Sequence, residues 1–238
     1  MMISPESFYA EVKDKSPVEI EKEIRKLKRS IARVKKDIEN PGGEPDNIRP
    51  SRSTMIYWSR EYLKMAKRAL SETGGEYHET KEEQKAQQFL ENLPSLRRIE
   101  LEICNFMSWD EYVIEIDGDT VKHFPKIESH IVGEQAETRE ELLDRLRDVH
   151  LEEWKKTYSP KPYGMYILDG TQWDLKLEYS DGIRPVKYTG DNVFPWNFEE
   201  LCALFGMEYQ KATFFQVVGC FLFIIDRCFF RRFHSFVH

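Results

Sequence analysis

The 238-residue chain is short of cysteine, glycine and proline, and each shortage removes a class of protein. Its 4 Cys have no CxxC spacing, which excludes a disulfide framework and a structural zinc cluster. With 12 Gly and 11 Pro against 40% apolar residues, the chain is neither collagen-like nor mucin-like, nor disordered throughout. No apolar run reaches the ~20 residues needed to cross a bilayer. The opening MMISPESFYAEVKDKS lacks the basic and apolar regions of a secretory signal. GxGxxG, the P-loop, HExxH and GxSxG are missing too, and with them the common nucleotide, zinc-protease and hydrolase signatures. These absences predict a soluble, cytoplasmic α+β protein with no cofactor.

Charge is abundant and unevenly placed. The net −7 divides into +4 over residues 1–75, −14 over 76–210 and +3 over 211–238. An acidic middle segment repels phosphate backbones, which argues against nucleic acid as its partner.

The first 93 residues read as helical. Ser16-Pro17-Val18-Glu19 is a capping box with Pro at the first helical position. Ile20, Ile24, Leu27, Ile31, Val34 and Ile38 then recur in heptad fashion up to Asn40-Pro41-Gly42-Gly43. A second helix is predicted from Ser51 or Ser53 to Glu72, and a third from the capping box at Thr80 to Leu93. The narrow seam of the first helix suits an antiparallel hairpin with the second, or a homodimeric coiled coil through residues 20–38. Lys22, Arg25, Lys26, Lys28, Arg29, Arg33, Lys35 and Lys36 crowd the same helix among acidic residues, so i,i+4 pairing accounts for most of them.

After Pro94 the hydrophobic period becomes two. Arg98–Ile103, Tyr112–Ile116 and Thr120–Phe124 alternate as half-buried strands, with Asp117-Gly118 as a tight turn and a helix capped by Thr138. Met165–Leu168, Trp173–Tyr179 and Pro185–Tyr188, followed by a short helix at Phe198–Phe205, repeat that plan. Trp109-Asp110 and Trp173-Asp174 stand at matching places, which suggests two βββα-like units or convergence on common hairpin chemistry. The expected fold is α+β: an N-terminal helical hairpin or bundle (1–93), then an acidic domain (94–210) with a mainly antiparallel sheet and both helices on one face.

Ser4-Pro5-Glu6-Ser7-Phe8-Tyr9, Leu168-Asp169-Gly170-Thr171-Gln172-Trp173 and Gly190-Asp191-Asn192-Val193-Phe194-Pro195-Trp196-Asn197-Phe198 resemble an uncharacterised family of bacterial proteins common in gut anaerobes. The resemblance covers most of residues 2–208 and implies no activity, cofactor or site residue.

Residues 211–238 differ from what precedes them, holding 8 of the 15 Phe and two cysteines. This tail suits a buried strand, an interfacial membrane contact by 212–230 with Arg227, Arg231 and Arg232 at the headgroups, or a non-native extension.

Few residues invite chemistry. Cys104 and Cys202 fall at positions that favour burial, and His123, His130 and His150 are dispersed. Asp174 and Lys176 share one side of a strand; with Asp110 or Glu115 they would suit a metal-dependent nuclease or another hydrolase. Basic binding of nucleic acid by the first helix, through Lys26, Arg29 and Arg33, is another reading. The favoured expectation is a non-enzymatic protein-interaction module, with no metal, whose acidic domain docks on a basic partner. Proteins carried by mobile elements to inhibit nucleases resemble it in charge and size. Glu115, Asp174, Glu178, Asp181 and Asp191 are the candidate contacts. Trp196 is either a binding hot spot or, with Phe194 and Phe198, a staple of helix to sheet.

Overall fold

A computed structural model describes residues 3–43, 49–105, 108–124, 138–167 and 170–207. The expectations for residues 211–238, and His130, lie outside the described residues.

The helical front has one element more than the heptad pattern announces. Ser4 caps α1 (Pro5–Val12), its Oγ accepting from the Ser7 N–H at 3.1 Å. In α2 (Pro17–Glu39) the Glu19 carboxylate accepts from both the N–H and the hydroxyl of Ser16. A loop leads to α3 (Arg52–Glu72), which returns along α2. Ile20, Ile24, Leu27, Ile31 and Val34 are buried, covered by Ile56, Ala66, Ala69 and Leu70 of α3 and by Phe8 and Val12 of α1. The seam is therefore covered within the chain from Ile20 to Val34, as the antiparallel-hairpin alternative expects. α4 (Lys81–Asn92) opens with the Thr80–Glu83 capping box. Glu83 also accepts from Lys28 at 2.8 Å, Lys67 at 3.1 Å and the Tyr77 hydroxyl at 2.7 Å, which ties α4 to the hairpin.

The sheet begins where the period changes. Its strands are β1 (Leu96–Cys104), β2 (Trp109–Asp117), β3 (Thr120–Phe124), β4 (Thr157–Tyr158), β5 (Gln172–Tyr179) and β6 (Val186–Asp191). They stand in the order β3-β2-β1-β5-β6-β4, antiparallel except for the β4–β6 pair. The chain is thus an α+β protein: helices first, then a six-stranded, mostly antiparallel sheet. Ile99, Leu101, Ile103, Ile114, Ile116, Trp173, Leu175, Leu177 and Tyr188 turn one face toward α5 (Arg139–Val149) and α6 (Phe198–Leu204) and form the main core with them.

The two β units are less alike than their sequences. Residues 165–167 form no strand, and Leu168 lies outside the described residues. A 3₁₀ turn at Lys161–Tyr163 and left-handed Gly164 redirect the chain there. The Trp-Asp pairs also point opposite ways. Cys104 of β1 faces Trp109 on one side and Gln172 on the other, so Trp109 lies across from the residue before Trp173. That one-residue offset reverses every side chain. Trp109 is 72% exposed and Trp173 is 1% exposed.

The segments quoted around Trp173 and Trp196 meet. The Trp173 indole N–H donates to the Val193 carbonyl at 3.0 Å, and its ring covers Gly190, where a Cβ would lie 2.1 Å from Nε1. Phe194 and Phe198 pack on the same ring, as a staple requires. Trp196 faces the other way, half-buried against Ile31, Val34 and Ile56 at the junction of hairpin and sheet.

Candidate functional site

Because one sheet face is spent on the core, alternation sends Arg98, Glu100, Glu102, Glu111, Glu115, Asp174, Lys176 and Glu178 to the other. Apart from Val113, the side chains on this second face are half-buried or exposed.

Register converts these charges into rows. Glu102 on β1 stands opposite Glu111 on β2 and Asp174 on β5, so three carboxylates lie side by side across three strands. The next row is Trp109, Cys104, Gln172 and Asp191. Glu102, Asp174, Trp109, Cys104 and Gln172 line a shallow cavity of about 200 Å³ between the two rows. Partial burial, with Glu100, Asp174 and Glu111 around it, holds the Glu102 carboxyl above the usual carboxylate range. Among the described residues no ion pair reaches Glu102 or Asp174, while Glu111 is 3.9 Å from Arg98.

The other candidates are placed differently. Glu115 is bound by Arg98 at 2.6 Å. Glu178 is bound by Lys176, and that bond lowers the Glu178 carboxyl and raises the Lys176 ammonium. Asp181 sits in the turn after β5 with a left-handed backbone (φ 60°) and accepts from the Ser180 hydroxyl. Asp191 accepts from the Asn192 side chain at 2.6 Å.

The hydrolase grouping does not converge. Asp110 faces Ile103 and so belongs to the helix-covered side of the sheet. Glu115 faces Arg98 whereas Asp174 faces Glu102, four residues along and two strands over from Glu115, or roughly 16 Å away. Lys176 is engaged by Glu178. On the basic first helix, four of the eight cations are paired: Arg25, Lys26, Lys28 and Lys35 with Glu21, Glu23, Glu83 and Glu153, so of the nucleic-acid candidates Lys26 is engaged.

Two expectations about single residues change. Trp196, expected at the surface if it were a hot spot, is half-buried in the junction with Lys35 and Arg60 over its ring, 5.4 and 5.0 Å from the centroid. Cys104 is exposed, because it shares the parity of Glu102 and not of Ile103. Cys202 is buried, and burial pushes its thiol up to about 12, which leaves it inert near neutral pH.

Glu102 and Glu111 carry no signal of their own in the sequence, and Trp109 stands out there only as half of a repeated Trp-Asp pair. Alternation in Arg98–Ile103 puts Glu100 and Glu102 on a polar face, but only the pairing of β1 with β2 and β5 reveals what lies beside them. His150, Glu152 and Glu153 form the metal-capable grouping among the described residues, with ligand atoms within 4.8 Å of one another. No helix among these residues is long and apolar enough to cross a membrane. Compared with family models, curated proteins and solved structures, the chain matches none.

Proposed function

We propose that this protein is a non-enzymatic interaction module whose open sheet face docks on a Lys- or Arg-rich segment of a protein partner. The observation that carries this reading is the row Glu111–Glu102–Asp174 beside exposed Trp109. Like charges directly opposite in a sheet destabilise it, and here two of the three carboxylates have no cation in reach among the described residues. A basic side chain in the cavity would relieve that repulsion. A guanidinium there can pair with Asp174 or Glu102 and lie over the Trp109 ring, which provides an attraction that a carboxylate row alone lacks. The net −14 of residues 76–210 would steer such a segment in from a distance.

The test is fluorescence anisotropy of a labelled oligo-arginine peptide on the full chain. Affinity should fall at least about tenfold between low and high salt, and comparably in Asp174→Lys. Trp109→Ala should weaken binding while leaving the melting temperature unchanged, since the ring is exposed. Binding indifferent to salt and to both substitutions would refute the proposal.

A further inference from the structure

A second site lies at the junction of hairpin and sheet. α5 ends at Val149, and His150 turns the chain with a left-handed backbone (φ 55°) into the 3₁₀ turn Leu151–Glu153. This bend gathers three ligand-bearing side chains from four consecutive residues. The His150 Nδ1 lies 3.0 Å from Glu152 Oε1, a hydrogen-bond contact that an ion between the two atoms would replace. Two ligands at ~2.1 Å and right angles around an octahedral ion are separated by about 3.0 Å, while a tetrahedral ion would hold them about 3.4 Å apart.

The Glu152 side chain is only 8% exposed, yet its Oε2 is buried with no hydrogen-bond partner. A buried carboxylate oxygen is costly to leave unsatisfied. The Trp196 Nε1, in the same junction, is likewise buried without an acceptor. Glu153 is held by Lys35 and Arg60, both through Oε2, so Oε1 engages neither cation.

We propose that His150, Glu152 and Glu153 bind a divalent first-row metal ion that prefers octahedral coordination, such as Mn²⁺ or Co²⁺. The ion satisfies Glu152 and draws on Glu153 Oε1. Imidazole with two carboxylates is a donor set that such ions accept. Lys35 and Arg60 oppose it, because they already pair with Glu153 and would face the incoming ion as like charges. Affinity is therefore limited by these cations and should rise when one is removed.

Equilibrium dialysis of the full chain against Mn²⁺ and Co²⁺ near neutral pH tests the site, with the visible absorption of Co²⁺ as a second readout. One ion per chain is expected, with affinity at least about tenfold lower in His150→Gln and in Glu152→Gln. Lys35→Met should bind several-fold more tightly. No binding by the native chain would overturn the proposal, as would binding unaffected by His150→Gln and Glu152→Gln. Should either variant fold poorly, Lys35→Met decides: equal or weaker binding there overturns it.

Discussion

Replacing Glu102 by Gln should stabilise the fold, although it removes a charge from the surface proposed to act. Neighbouring strands lie about 4.8 Å apart, so this carboxylate meets a like charge on either side, Glu111 and Asp174. Each directly opposed like-charge pair costs a few tenths to about 1 kcal/mol, and solvent screening favours the lower end at a surface. Glu102→Gln should then return about 1 kcal/mol, or roughly 2–4 °C in melting temperature for a chain of this size. The sign with pH is fixed by the raised carboxyl. The folded chain binds that proton more readily than the unfolded chain, so stability falls as pH rises from the unfolded carboxylate value, about 4, through the folded one. The advantage of Glu102→Gln should be full at neutral pH and vanish below about pH 4. It should also shrink at ~1 M salt, where the Debye length is about 3 Å. Thermal melts of both proteins at two pH values and two salt concentrations check this. A Glu102→Gln protein that melts at or below the native temperature at neutral pH and low salt would refute the repulsion, and with it the main support for a cation-binding face. The same variant should bind oligo-arginine less well, the usual exchange of stability for function.

Ile31→Asp should cost at least about 3 kcal/mol, because it deletes a buried aliphatic side chain and puts a carboxylate among Val34 and Ile56; an unchanged urea midpoint would show that the seam is not packed. Glu83→Gln should lose about 1 kcal/mol at neutral pH, since Lys28 and Lys67 lose their shared counter-charge. Burial raises the Glu83 carboxyl, but bonds from Lys28, Thr80, Tyr77 and Lys67 outweigh it and hold the group well below the usual range. The native advantage should therefore be full above the unfolded carboxylate value and fade as pH falls below about 4. An advantage that persists into acid would contradict that assignment, and chemical denaturation across that range measures it.

Local chemistry made much of the fold legible. Ser16, Ser51, Thr80 and Thr138 announce helix starts because each can satisfy amide donors of its own first turn. Alternation at 98–103 and 173–179 announces strands with one apolar face, because successive side chains take opposite sides whatever the neighbours are. α1 carries the same kind of signal in Ser4-Pro5, a capping hydroxyl followed by proline at the first helical position.

What the chain does with its charges was decided by tertiary structure. Periodicity says which face Glu102 and Asp174 occupy, but not that β1 pairs with β5 across nearly 70 residues, nor in what register. A shift by one residue would have put Asp174 beside Ile103 and Trp173 on the open face. The same limit applies to Trp196 and to the His150–Glu152–Glu153 bend. A local pattern marks an aromatic residue before a helix, or a His followed by two acids. Only packing the hairpin against the sheet brings Lys35 and Arg60 onto them. Caps and alternation depend on residues within one turn or one strand, and so can be read in sequence. Register and docking depend on which distant surfaces bury together, and that is settled by the folded chain as a whole.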